Sequence, residues 1–297
     1  MSDGCRIRHR REIGQTLEAE FAQTCGRSKL SWCTYCRTAQ AVTDCLIASN
    51  LMLREWGVLV PAESAVVCFR TSGRGFEDEP WESVSSATLA TASPWRTFRW
   101  YDGQRHYSGT YWSSTMRDHV IYESRLELAR LLFDDFDPSV RRILAQPFLL
   151  KAEVEGKVRE HIPDYLLISE DGPVVVDVKP RHRVAKPEVA FTFDWTRRLV
   201  ETRGWRYVVW SEPAPAELEN LRFLAGYRRD WLFDGLLLDE LRAMGLDCRT
   251  LGELDDALAG REPEEVRAGI LHLLWRGELV TDLSTPLSGH HVLRDSK

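Results

Sequence analysis

The period of hydrophobic and polar positions changes several times along the chain, and each change predicts an element. Residues 161–180, HIPDYLLISEDGPVVVDVKP, hold two apolar runs rich in β-branched and aromatic residues on either side of Glu170-Asp171-Gly172. That pattern predicts two short strands joined by a turn. In the second strand alternate residues share a face, so Val174, Val176 and Val178 lie on one side and Val175, Asp177 and Lys179 on the other. Asp164, preceded by Pro163, opens the neighbouring strand, and paired strands lie about 4.8 Å apart. Two carboxylates and one ammonium are therefore expected to converge at one end of a sheet.

Upstream, Ile121, Leu128, Leu131 and Leu132 have helical spacing and predict a helix ending before Asp137-Pro138. Glu123 and Glu127, four residues apart, are expected on one face of it. Like charges there cost a few tenths of a kcal/mol, which invites a compensating cation or metal, although on the helix alone ordinary solvation with Arg130 as ion-pair partner is favoured. The run VRRILAQPFLL and the turn at Glu155-Gly156 predict further strands, a meander leading into the 161–180 hairpin. Residues 187–203 carry Val189, Phe193, Thr196 and Val200 at helical spacing and stop at Gly204, and a strand follows over 205–210. Helix, three antiparallel strands, helix and strand predict an α/β core with a mixed sheet.

The last third reads as helices over 215–225 and 232–243, and a short one opened by the capping box Thr250-Leu251-Gly252-Glu253 and running to about 259. A further helix over 264–276 turns Val266, Ile270, Leu273 and Leu274 inward. Strands over 278–283 and 290–293 flank a Ser/Thr/Pro/Gly turn, and the whole order is that of a winged helix. Residues 94–114 are dense in aromatics and broken by Asp102-Gly103, a hairpin signal. The aromatics suit either a base-stacking platform or packing on the next helix. Residues 72–93 read by composition as a polar linker, and 39–56 are weakly helical. Three segments result: 1–93, an extension and linker; 94–212, the α/β core; and 213–297, the helical, winged-helix-like part.

Composition narrows the picture. The chain has 297 residues, 43% of them hydrophobic, enough to supply real cores. No apolar run approaches the roughly 18 residues of a membrane span, and the basic stretch Arg6 to Arg11 is not followed by the apolar core of a signal peptide. The expectation is a cytoplasmic protein without a membrane partner. Seven cysteines, mostly scattered, suit reduced thiols. Cys33 and Cys36, with Cys25 and Cys45 nearby, offer half of a zinc signature, or else belong to a poorly ordered extension. A net charge of −6 excludes a protein that coats nucleic acid by bulk electrostatics, so any DNA contact must be local. Arg181, His182, Arg183 and Lys186, directly after the hairpin, suit flanking phosphates or form a solvated loop. Residues 247–297 hold ten acids against six Lys and Arg, a net of −4. That favours protein docking over DNA contact through Arg267, His272 and Arg276.

Hydrolysing a phosphodiester calls for charge neutralisation on the phosphate and a hydroxide at neutral pH, which divalent ions held by carboxylates supply. Oxygen-only ligands suit Mg²⁺ or Mn²⁺. The spaced pattern of a helix acid, then Pro163-Asp164, then Asp177-Val178-Lys179 resembles the PD-(D/E)xK nuclease superfamily. Ser124-Arg125-Leu126-Glu127-Leu128, Gln146-Pro147-Phe148-Leu149, Pro163-Asp164-Tyr165-Leu166 and Asp177-Val178-Lys179-Pro180 look like the successive landmarks of TnsA-like transposon endonucleases, over residues 101–212. The resemblance implies a restriction endonuclease-like core, a mixed β-sheet flanked by helices, followed by a C-terminal winged-helix-like domain. It implies a metal-dependent DNA endonuclease that cuts at transposon ends with a transposase subunit and its regulator. Glu127, Asp164 and Asp177 would hold one or two Mg²⁺ or Mn²⁺ ions and Lys179 would be the catalytic lysine. Glu123 and Gln146 would be auxiliary, and Arg181, Arg183 and Lys186 would meet DNA. A stand-alone defence or repair nuclease, or a non-catalytic adaptor that keeps the fold, would carry the same segments.

Overall fold

Valine-rich strands buried on both faces need a hydrophobic layer on each side, and the chain supplies two. In the computed structural model, which describes residues 64–73, 75–96, 107–254, 258 and 260–296, one compact unit runs from Val58 to Lys297. The cysteine group Cys25, Cys33, Cys36 and Cys45, the helix expected over 39–56 and the Asp102-Gly103 turn lie outside the described residues. In chain order the elements are β1 (Val66–Thr71), β2 (Gly75–Pro80), α1 (Ser86–Leu89), β3 (Ala92–Ser93), β4 (Gly109–Ser113), β5 (Asp118–Tyr122), α2 (Arg125–Phe136), β6 (Val140–Ala145), β7 (Leu149–Val154), β8 (Lys157–His161), β9 (Tyr165–Ser169) and β10 (Gly172–Val178). They continue as α3 (Arg181–Val184), α4 (Pro187–Glu201), β11 (Arg206–Trp210), α5 (Pro215–Leu224), α6 (Gly235–Met244), α7 (Pro263–Trp275), β12 (Leu279–Val280) and β13 (Arg294–Asp295).

The central sheet has the order β11-β10-β9-β6. β10 runs parallel to β11 and antiparallel to β9, and β6 is antiparallel to β9. The mixed α/β character expected from the sequence is thus present, with helices against the sheet. Val174, Val176 and Val178 pack into one core with Leu131 and Leu132 of α2 and the buried faces of α5, α6 and α7. Val175 packs into the other with Leu166, Tyr207 and the inward residues of α4, Phe193, Trp195, Leu199 and Val200. Each buried valine contributes roughly 1.5–3 kcal/mol. Gly172, at φ +107°, makes the β9–β10 turn in a conformation that side chains resist.

The expected meander divides. β6 pairs directly with β9, while β7 and β8 leave to form a second sheet of order β2-β1-β7-β8, with β3 also on β1. Glu155 and Gly156, at φ +55° and +70°, form the two-residue turn that the β7–β8 hairpin requires. Residues 72–93, read as a linker, are built into this second sheet instead. β2 is a solvent-facing edge strand, so its composition mimics a loop. Anchoring comes from Trp81, which is fully buried and donates its indole N–H to Leu199 O at 2.9 Å.

Helix α2 begins later than the apolar spacing suggested. Ile121 belongs to β5, paired opposite Thr110, and the N-cap is Ser124. Arg130 pairs with Asp134, at 3.0 Å from Nε, rather than with Glu127. Asp135 takes hydrogen bonds from Tyr111, Ser113, Ser114 and Thr115, fastening the β4–β5 hairpin to α2.

In the C-terminal part α5, α6 and α7 match the expected helices to within three residues at each end. The 250–259 helix is one 3-10 turn, Gly252–Leu254, among the described residues. The strand expected over 278–283 shrinks to β12, and its partner β13 forms just beyond the expected 290–293, within which Val292 makes only an isolated bridge to Thr250. The loop between them is pinned by Asn220, whose amide donates to Leu283 O and Thr285 O and whose oxygen accepts from Leu287 N. This part shares its core with α2 and β10, so no boundary at 212 divides the compact unit. Among the described residues no helix is long and apolar enough to cross a membrane.

Asp134 is 2% exposed, and burial, offset by Arg130, pushes its carboxyl up from 3.8 to about 6. The folded state therefore holds a proton that the unfolded chain releases, so this residue's contribution to stability falls as pH rises from about 4 to about 6 and is constant above that. Urea unfolding of wild type and Asp134→Asn is expected to show their stability difference moving by up to about 3 kcal/mol in favour of the variant across that window; parallel profiles would refute the assignment.

Candidate active site at the end of the central sheet

The β9–β10 register pairs Tyr165 with Val176, and the β6–β9 register pairs Ala145 with Tyr165. One step further towards the same end lie Gln146, Asp164 and Asp177, a row across three neighbouring strands. The first link of the row is Gln146 N–H to Asp164 O at 2.8 Å. The Asp164 side chain then closes the end of the hairpin by accepting from Val178 N at 2.7 Å.

Helix α2 brings its N-terminus to this row through a capping box. Ser124 accepts from Glu127 N at 3.2 Å and donates to Glu127 Oε1 at 2.8 Å, and Glu127 Oε2 accepts from Glu123 N at 2.7 Å. Glu123 thus precedes the helix and does not stack on one face with Glu127, because the cap falls between them. Its carboxylate accepts from Gln146 Nε2 at 2.6 Å and lies 3.7 Å from Arg96. Gln146 is a hub: it is buried, its backbone sits at φ +45°, its oxygen accepts from Arg96 N and its carbonyl from Trp95 N. A non-glycine residue in that conformation costs on the order of 1–3 kcal/mol and is found where surroundings over-determine it, often at functional sites.

Burial and mutual repulsion govern the acids. Burial, then Asp177 and Glu127, push the Asp164 carboxyl well above the usual carboxylate range, against the pull of the Val178 N–H and Lys179. Glu127 is raised by burial, with hydrogen bonds from Glu123 and Ser124 and the charge of Lys179 opposing. Lys179 is half-buried, and its ammonium makes no hydrogen bond or ion pair among the described residues. The four expected residues, Glu127, Asp164, Asp177 and Lys179, are therefore brought within electrostatic reach of one another.

No protein-family model matches the chain, and no curated protein does.

Two partners of Asp177 were missed in the sequence. His161 Nε2 lies 2.9 and 2.8 Å from the two Asp177 oxygens, and the Tyr207 hydroxyl donates to Oδ2. Asp177 is 2% exposed as a result, and Tyr207 is held un-ionised, its pKa well above 10, by burial and by Asp177. The signal for Tyr207 was present in alternation: on parallel strands Val175 pairs with Tyr207, so Tyr207 shares the Asp177 face. His161 could be found only by knowing that β8 folds over that face.

The flanking bases are arranged unevenly. Arg181, Arg183 and Lys186 are exposed, on and just after α3, two to seven residues beyond Lys179. Arg181 is tied to Glu212 through its N–H at 2.9 Å and its guanidinium at 3.1 Å, whereas Arg183 and Lys186 make no ion pair among the described residues. The C-terminal candidates fare differently: His272 is buried, bonded to Tyr227 O at 2.7 Å and stacked on Phe233, and so cannot reach DNA. Arg276 lies 3.8 Å from Asp230, and Arg267 is exposed.

Donor chemistry fits a hard divalent ion: three carboxylates, two of them with their charged forms disfavoured, and an Asp164 Oδ1 that accepts no hydrogen bond among the described residues. As arranged, no three His, Cys, Asp or Glu side chains among the described residues form a ready metal cluster. The oxygens of Glu127 and Asp177 are already shared with protein donors, though a carboxylate has about four acceptor sites in all. Asp164→Asn keeps the bond to Val178 and removes the repelled charge. In EDTA its melting temperature is expected to rise by several degrees over wild type, and millimolar Mg²⁺ or Mn²⁺ is expected to stabilise wild type but not the variant. A variant less stable than wild type in EDTA would show that the Asp164 charge is not in conflict with its surroundings.

Proposed function

We propose that this chain is a metal-dependent DNA endonuclease with a restriction endonuclease-like core, and that its C-terminal part is a winged-helix-like module for a protein partner. The observation that carries the reading is the meeting of Glu127, Asp164, Asp177 and a half-buried Lys179, unpaired among the described residues, at one end of the central sheet. In it, Glu127, Asp164 and Asp177 hold one or two Mg²⁺ or Mn²⁺ ions, which when bound supply a hydroxide near neutral pH and neutralise charge on the phosphate. Lys179 is the compact cation that orients the attacking water and offsets negative charge developing on the phosphoryl oxygens. His161 and Tyr207 fix the Asp177 carboxylate, and Gln146 fixes Glu123 and the Asp164 backbone. Exposed Arg183 and Lys186 meet flanking phosphates.

The spaced sequence motifs support the TnsA-like transposon endonucleases as the family, with a transposase subunit and its regulator as partners. The acidic balance of residues 247–297 and the burial of His272 support a protein-facing role for the C-terminal part. A second reading, a non-catalytic adaptor, has one observation in its favour: both Asp177 oxygens are engaged by His161 and Tyr207.

Nicking of supercoiled plasmid by purified protein in Mg²⁺ or Mn²⁺, alone and with the transposase subunit added, separates the two. Asp177→Ala and Lys179→Ala are expected to lose activity at least about 100-fold, the scale of removing one transition-state contact. If wild type and Asp177→Ala behave alike in every arm, the nuclease reading is lost and the adaptor stands.

A further inference from the structure

Alternation along β8 places Lys157, Arg159 and His161 on one face. Their cross-strand partners are Val154, Ala152 and Leu150, all buried, so this face looks inward, towards α4. Arg159 lies with its guanidinium 5.1 Å from the centre of the Phe191 ring. Its Nε is buried without a hydrogen-bond partner, and the side chain makes no ion pair among the described residues. A buried N–H without an acceptor is costly, and such groups in folded proteins almost always have one; the rest of the Arg159 guanidinium is only partly buried.

Neither neighbouring glutamate pairs with Arg159 among the described residues. An open cleft of about 710 Å³ lies between β8 and α4, lined by Arg159, Phe191, Trp195, Glu160, Glu188 and Thr192 among others. Glu160 alternates to the opposite face, where Lys151 pairs with it at 3.5 Å. Glu188 is exposed in the first turn of α4 and pairs with no cation among the described residues. The floor is aromatic, and Trp195 meets the His161 ring edge-on at 6.2 Å. His161, two residues from Arg159 on the same face of β8, packs on this floor and bonds Asp177.

We infer that this cleft is a nucleotide subsite, in which Arg159 binds a phosphodiester of the DNA strand next to the one positioned at Asp164, Asp177 and Lys179, and the Phe191 and Trp195 floor takes the attached sugar or base. A guanidinium that makes no ion pair among the described residues provides the fork that phosphate oxygens match, and an apolar floor suits a nucleotide rather than a bare anion. Glu188 at the rim confines a phosphate to the Arg159 side. The inference deepens the nuclease reading and rests on it for the identity of the strand.

The test is binding of a fluorescent single-stranded and a duplex 20-mer in EDTA, where nothing is cut, followed by anisotropy across a salt series. Arg159→Met keeps the stem over Phe191 and removes the charge. It is expected to weaken binding about tenfold and to lower the slope of log K against log salt by about one, with an unchanged melting temperature. Arg159→Lys is expected to retain most of the slope. Unchanged affinity and slope in Arg159→Met, a wild type that binds neither oligonucleotide, or displacement by inorganic phosphate at equal phosphate concentration would each overturn the subsite. Plasmid nicking by wild type against Asp177→Ala is read separately. Cleavage with Arg159-independent binding sinks this subsite alone, and Arg159-dependent binding without cleavage sinks the nuclease reading alone.

Discussion

The pairing of β9 with β10 is the constraint on which the other elements depend. β10 is a central strand, hydrogen-bonded on both edges and buried on both faces, so each of its residues is committed to one of two cores. A slip of one residue would exchange the faces of Val174, Val176 and Val178 with those of Val175 and Asp177. It would drive a carboxylate into the apolar layer shared with α2. The hydrophobic cost of that exchange pins the register, and the register in turn aligns Gln146, Asp164 and Asp177 at one end. The candidate site is thus positioned by the energetics of the valines beside it.

Against that framework the site itself works in the opposite direction. Asp164 is held where burial and the charges of Asp177 and Glu127 disfavour ionisation, Glu127 where burial does, and Gln146 holds a left-handed backbone. Such a concentration of strain persists because the two cores over-determine it, with Trp81, Trp195 and the C-terminal helices bracing either side of the sheet. The capping box at Ser124 does double duty here. It satisfies the first turn of α2 and at the same time fixes the rotamer of Glu127, so local helix stability and the placement of an acid are one interaction.

The two sheets divide the labour around Asp177. The central sheet supplies the carboxylate and Tyr207, and the second sheet reaches over with His161 and, two residues earlier, Arg159. Because β8 is an edge strand held by β7 alone among strands, it is the element best able to shift relative to the acids. Any change in how Asp177 is shared between His161 and another ligand would pass through that strand.

Alternation and turn chemistry in the sequence determined the β9–β10 hairpin, the two faces of β10, helices α4 and α7, and the local convergence of Asp164, Asp177 and Lys179, because each depends on contacts only a few residues apart or on a period that one strand displays by itself. The sequence misread residues 72–93, since a solvent-facing edge strand has the composition of a loop and only a few residues, Trp81, Val84 and Leu89 among them, carry its docking. It misplaced Glu123, since an apolar residue such as Ile121 fits a helical stripe as well as a strand. Only the tertiary structure decided that β7 and β8 leave the meander for a second sheet, that His161 and Tyr207 close on Asp177, and that Arg159 Nε is buried without an acceptor among the described residues. Those outcomes depend on which distant strand wins the pairing, and a pairing energy between strands far apart in the chain leaves no period in either one.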